Sequence, residues 1–387
     1  MKSFRTVIFW IHLAVGVTAG VVIFIMSVTG VALTYEKQMI EWADRRAWTA
    51  PAAPGAHLSP ETLLAAAAVA RPGKPIGLTL RADPAAPATV TLEGNAALLI
   101  DPYTGAIIGE PPAALRSFFR TMTTWHRYIA MEGTSRATGK LITGAANLGF
   151  LFIVVSGLYL WFPRVWTWLQ FKNVLWFRTG LASKARDFNW HNVIGFWSCV
   201  PLAIVVAGAV PISFPWASNL VYRLAGDTPP AAAAPAQPRT SEAKPQVYVT
   251  SGLDASWSAA IAGAPSWRTI STRLASSEKA PLVLTVDEGY AGQPQKRRTL
   301  TFDRATASLA KDETFDRLST GRRVRSWLRF AHTGEFYGLT GQTIAGLASG
   351  GGAVLVFTGL ALALRRFASW LQRKRAPAGA VDRQRAA

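Results

Sequence analysis

Four stretches of this sequence, Thr6 to Leu33, Leu141 to Phe162, Val193 to Phe214 and Ile344 to Leu364, stay apolar over about the 20 residues that a helix needs to cross a bilayer. Such segments leave few options. Lipid offers no partner to backbone polar groups, so only helices or closed barrels can span it. Lys2 and Arg5 precede the first stretch as they would a signal peptide. Its apolar run is too long for one, however, and VALTYEKQ offers no small-x-small cleavage site, so it reads as an uncleaved anchor. The formal charge of +19 would suggest a polyanion partner. Much of that charge flanks the apolar stretches instead, at Arg164, Lys172, Arg178, Lys184, Arg186, Arg365, Arg366, Arg373, Lys374 and Arg375. The positive-inside rule accounts for that placement, puts both termini in the cytoplasm and leaves no role for nucleic acid. The single cysteine, Cys199, excludes an intramolecular disulfide and reads as packing within an apolar run.

The expected fold class is an α-helical membrane protein with four transmembrane helices, an internal tandem duplication and two small α+β outer domains. The segments run in this order: a first span over residues 1–34, a first outer domain over 35–116, and an outer histidine element with the second span over 117–164. A cytoplasmic loop over 165–187 and a third span over 188–214 come next. A linker and second outer domain fill 215–323, an outer histidine element and fourth span fill 324–366, and a basic tail ends the chain over 367–387. In the first outer domain, Ser59 caps a helix in SPETLLAAAAVA, and the strands IGLTLRA, ATVTLEG and ALLIDPYTGAIIGE follow. The second opens on the Pro/Ala-rich DTPPAAAAPAQPRTSEAKP, an extended tether, and then repeats the scheme with SWSAAIAGA, WRTISTRLA, PLVLTVDEG and RTLTFDRATASLAKDE.

The repetition continues into the spans. At an offset of 202 (340 − 138), Gly139, Ile142, Gly144, Gly157, Leu158 and Arg164 meet Gly341, Ile344, Gly346, Gly359, Leu360 and Arg366. A histidine precedes each copy, His126 in TTWHRY and His332 in RFAHTG. HLAVG at His12 likewise matches HNVIG at His191. Only His57 falls outside this pattern, and it reads as a surface residue.

Ionisable groups inside spans are costly and normally functional. Each half has two spans, so both insert the same way, with a pseudo-twofold axis along the membrane normal. That axis brings His12 towards His191 on the inner side and His126 towards His332 on the outer side, about 30 Å away across a span of roughly 20 residues. A zinc site normally asks for three or four protein ligands, whereas a haem asks only for axial ones. Gly16 and Gly195, each four residues after an inner histidine, leave flat space for a macrocycle; close helix packing explains them equally. Trp10, Trp125, Trp190 and Phe330 wall such rings or form an interfacial belt. Arg127 and Arg329 pair with haem propionates or anchor the interface, and Arg127, Arg325 and Arg329 attract an acidic ligand or lipid phosphates.

The FWIHLAVG start, the DPYTG turn, WHRY, WHNVIGF and FAHTGEFYGLTGQ together resemble the PepSY-associated transmembrane proteins. That family includes integral membrane siderophore reductases of the bacterial inner membrane. The resemblance implies two PepSY-like periplasmic domains and a dihaem cytochrome b with His12, His191, His126 and His332 as iron ligands. It further implies electron transfer to a ferric siderophore in the periplasm. No G-x-G-x-x-G unit occurs, so the donor is a quinol or a separate reductase protein. Two other readings stay open: a dihaem oxidoreductase for another acceptor, such as a copper complex, and a non-enzymatic membrane protein that binds peptides or a protease. The cleft between the two outer domains is the expected docking place.

Overall fold

In the computed structural model, which describes residues 2–49, 55–70, 74–162, 167–231, 248–290 and 292–375, all four apolar stretches are helical. From the N-terminus, α1 (Lys2–Leu33) and α2 (Glu36–Arg46) lead to α3 (Pro60–Ala70). Strands β1 (Pro75–Arg81), β2 (Ala88–Leu92), β3 (Ala97–Ile100) and β4 (Ile107–Gly109) come next. Then follow α4 (Ala113–Tyr128), α5 (Arg136–Trp161), the short α6 (Trp168–Leu175), α7 (Ser183–Ser213) and α8 (Pro215–Leu224). Next come α9 (Leu253–Gly263), β5 (Thr269–Arg273), β6 (Leu282–Asp287), β7 (Arg297–Phe302) and β8 (Leu309–Thr314); α10 (Thr320–His332) and α11 (Gly338–Arg375) complete the order. Apart from residues 227–231, the expected Pro/Ala tether lies outside the described residues, as do Arg164 and the tail after residue 375.

The long helices α1, α5, α7 and α11 form a four-cornered bundle. Helix α1 packs against α5 and α11, and α7 packs against the same two, so α1 and α7 occupy one diagonal. Ile23, Phe150, Val154, Leu202, Val206 and Ala348 fill the centre. Between lipid-compatible helices association depends on close van der Waals approach, which small residues permit. A Cβ on Gly352 would stand 3.1 Å from Ser27 and 3.3 Å from Phe150, and one on Gly20 would stand 3.4 Å from Leu360. Cys199 packs on this core, as its apolar surroundings predict.

The strands follow the alternating pattern of the sequence, and Ser59 Oγ accepts the Thr62 N–H as a helix cap should. Their assembly differs from expectation. Instead of two domains with a cleft between them, the two segments between the long helices share one antiparallel sheet in the order β4-β3-β2-β1-β5-β6-β7-β8. The junction is β1 against β5, with Leu78 opposite Thr272 and Leu80 opposite Ile270. Gly77 makes this contact possible, since a Cβ there would lie 2.8 Å from the Thr272 carbonyl oxygen. Helices α3 and α9 cover one face and bury a single core in which Leu63, Leu78 and Val90 join Trp257, Ile270 and Leu284. The two helices also cap each other. Asp254 Oδ1 accepts the Glu61 N–H at 2.8 Å, and Glu61 Oε1 accepts the Leu253 N–H at 3.0 Å. Each carboxylate thereby satisfies an orphan donor at the positive end of the other helix. The two segments are one layer.

The last hairpin of each segment, β3–β4 and β7–β8, turns on an aspartate. Asp101 Oδ1 accepts from the Tyr103 and Thr104 N–H groups, and Asp303 Oδ1 from those of Ala305 and Thr306. His57 is half-buried against Tyr103, with ring centroids 5.0 Å apart, rather than a free surface residue; burial lowers its pKa. Contacts from α2 and the residues just after it, and from the turn Glu335–Tyr337 before α11, hold the sheet to one end of the bundle, the sheet end. Arg45 pairs with Asp83, Trp48 stacks on Tyr103, Lys37 pairs with Glu335 at 2.6 Å, and Gln295 Nε2 donates to the Phe336 carbonyl at 2.7 Å.

Candidate functional site

At the end of the bundle away from the sheet, His12 on α1 and His191 on α7 both line one cavity of about 890 Å³. Each imidazole is tied through Nδ1 to a helix of the other diagonal. His12 Nδ1 meets Ser156 Oγ at 2.9 Å, and His191 Nδ1 meets Thr358 Oγ1 at 2.9 Å. A hydroxyl has one hydrogen. Thr358 commits its own to the Val354 carbonyl at 2.8 Å and Ser156 to that of Ile153 at 3.3 Å. The Thr358 oxygen therefore accepts from His191 Nδ1–H, which leaves the Nε2 lone pair of that ring free, and Ser156 Oγ is placed to do the same for His12. Glycine follows each hydroxyl. A Cβ on Gly157 would stand 3.3 Å from His12 Cε1, and one on Gly359 would stand 3.2 Å from His191 Cε1. Any larger residue would push the ring.

The sheet-end pair is carried on two helices that precede the spans. His126 and His332 lie on the last turns of α4 and α10, separate from the spans that follow. Helix α4 packs on α1 and α5, while α10 packs on α7 and α8. His126 Nδ1 lies 3.0 Å from Thr29 Oγ1, whose hydrogen goes to the Ile25 carbonyl at 2.6 Å. His332 Nδ1 donates to the Val205 carbonyl at 2.7 Å. The two rings face each other with centroids 6.3 Å apart. Two imidazoles sharing one metal from opposite sides, at metal–nitrogen bonds of about 2.0–2.1 Å, have centroids about 6 Å apart. Along α7, His191 and Val205 are 14 residues apart (205 − 191), about 21 Å at 1.5 Å per residue. That is shorter than the 30 Å expected, because both pairs lie inside the ends of the spans.

The corners after α4 and α10 explain the repeated glycines. A Cβ on Gly139 would lie 2.2 Å from the Tyr128 carbonyl oxygen, and one on Gly341 would lie 2.2 Å from that of Gly334. These contacts press the histidine-bearing helices onto the spans that follow. Gly30 leaves room for His126 Cε1 at 3.5 Å, and a Cβ on Gly208 would stand 3.1 Å from His332 Cβ.

The other residues singled out in the sequence are placed unevenly. Gly16 and Gly195 line the cavity; nothing lies within 4 Å of a Cβ built on Gly16, so it faces open space. Trp10 lines it too, with the Arg366 guanidinium 4.9 Å above its ring. Trp190 does not line it, and packs on the edge of Phe177 and beneath Arg186 instead. Arg127 lies over the Tyr128 ring and Arg329 over that of Phe330, each beside its histidine in the chain. Arg325 does not reach out for a ligand. It donates to Ser218 Oγ and the Pro211 carbonyl, both at 3.0 Å, and ties α10 to α7 and α8. Arg5, Lys184, Arg366 and Arg373, read from the sequence only as charge flanking the spans, also line the cavity at its far end.

This arrangement suits a flat group held between two imidazoles. Among the described residues no three His, Cys, Asp or Glu side chains converge, so the histidines stand as pairs. The cavity supplies depth beside His12 and His191, the lining cations match carboxylates on such a group, and all four Nδ1 atoms are engaged. These features fit bis-histidine haem.

No curated protein matches the chain. A family model described as the PepSY-associated TM region matches residues 9–366, nearly its whole length. The chain belongs to the PepSY-associated transmembrane family.

Proposed function

We propose that this membrane protein is a dihaem b-type oxidoreductase that delivers electrons across the bacterial inner membrane to a ferric siderophore and so releases its iron. The observation that carries the reading is the two histidine pairs, each ring fixed through Nδ1, with the sheet-end rings at the spacing of two ligands to one metal. His12 and His191 would hold one haem; His126 and His332 would hold the other. Bound haem supplies one-electron chemistry at its iron. The chain's own residues keep the imidazoles oriented through Nδ1, and the bundle excludes water. Arg5, Lys184, Arg366 and Arg373 would neutralise propionates at the far end. The tandem duplication, the cytoplasmic termini and the periplasmic position of the sheet belong to this reading, supported by the offset of 202 and by the basic flanks. A quinol or a separate reductase protein serves as donor. Reduction of Fe(III) weakens its hold on hard oxygen donors, which is how electron delivery becomes iron release.

Dithionite-reduced protein should be reoxidised by a ferric siderophore, with Fe(II) appearing in a ferrous-specific chelator at the same rate. Reoxidation by a copper complex alone would favour another acceptor. The packed corners add a second expectation. Gly341→Ala forces a methyl against the Gly334 carbonyl and displaces α10, so this variant should lose the haem of the sheet-end pair and keep the other. Difference spectra of the two variants Gly341→Ala and Gly139→Ala check this.

A further inference from the structure

Three of the four histidines rest on the same dipeptide, a hydroxyl residue followed by glycine on a neighbouring helix. Ser156-Gly157 receives His12, Thr358-Gly359 receives His191 and Thr29-Gly30 receives His126. His332 is the exception. The alignment of HLAVG at His12 with HNVIG at His191 puts Gly208-Ala209 where α1 has Thr29-Gly30, so no hydroxyl stands there, and Nδ1 donates to the Val205 backbone carbonyl instead. We infer that Ser156, Thr358 and Thr29 are positioning residues that set the reduction potential of the iron held by the histidines, an inference that rests on the haem reading above.

The physical basis is the direction of each hydrogen bond. Ser and Thr in spans commonly donate to a carbonyl one turn back and need no second partner. Here each oxygen also accepts from an imidazole Nδ1–H. Such a bond moves electron density onto the ring, makes Nε2 a stronger donor, and favours Fe(III) over Fe(II), which lowers the potential. The glycine keeps the ring seated over the hydroxyl. A packing role alone gives no reason for the hydroxyl and the glycine to be adjacent three times, each glycine closest to Cε1, the carbon beside Nδ1.

The test is a spectroelectrochemical titration of the purified holoprotein and its variants, with the two spectral components assigned by His191→Ala. Ser156→Ala and Thr358→Val should each raise the midpoint of the component held by His12 and His191. The reduced-to-oxidised ratio at fixed potential should change by roughly threefold to tenfold, tenfold being about 59 mV for one electron. Thr29→Val should move only the other component. Thr358→Ser keeps the hydroxyl and should keep the wild-type potential, which separates hydrogen bonding from packing. If Thr358→Val sheds its haem, Ser156→Ala, which removes a single oxygen, still reads the effect. Haems retained with unmoved potentials in Ser156→Ala overturn this inference alone, as does a Thr358→Ser shift as large as that of Thr358→Val. A wild-type preparation that binds no haem overturns the haem reading and this inference together.

Discussion

His191→Ala protein should carry half the haem of the wild type, and His12→Ala should lose the same spectral component. Both rings line one cavity from opposite corners of the bundle, so removing either leaves a group with one axial ligand in a large apolar space. The loss should be close to complete at that site. His126→Ala and His332→Ala should remove the other component, because these rings face each other at 6.3 Å and share no wall with the first cavity. Pyridine haemochrome quantification together with low-temperature spectra reads both outcomes. If His12→Ala and His126→Ala abolish the same component, the pairing across the bundle is wrong.

The second large effect concerns the direction of transfer. His332→Ala should abolish reduction of a ferric siderophore while the remaining component is still reduced by dithionite. The reason is depth. The two pairs are about 21 Å apart along α7, and the pair held by α4 and α10 lies at the sheet end, the side that the proposed function assigns to the chelate. A fold change of at least a hundred in the reoxidation rate is expected, roughly 2.7 kcal/mol in barrier terms. Stopped-flow absorbance gives it directly. Reoxidation of the variant at the wild-type rate would show that the exit lies elsewhere.

The sequence was most legible where a period or a turn residue forces the backbone. Span lengths, the eight strands and both aspartate turns could be read residue by residue, since apolar run length, alternation and Asx geometry are local properties. The joining of β1 to β5 was not legible. These strands are nearly 200 residues apart, and alternation says which face of a strand is buried but not which edge it meets. Gly77, glycine because a carbonyl lies against it, looked like any glycine in a strand. The histidines were found because they repeat. Their partners were missed, although a signal existed: Ser156 and Thr358 obey the same offset of 202 as the glycines that follow them. The His332 contact left no trace, because its acceptor is a backbone carbonyl that every residue has. That α4 and α10 are separate helices was hidden too. Their glycine corners, at Gly139 and Gly341, were visible only as part of the repeat.

The central claim is that four histidines hold two haems, and the absorbance spectrum of the intact protein purified from haem-replete cells tests it most directly. Two non-covalently bound haems b per chain should be present, with sharp reduced α bands of low-spin iron, since six-coordinate bis-imidazole ligation gives that signature. A colourless protein, or one with a single haem unaffected by His126→Ala and His191→Ala alike, would contradict the account.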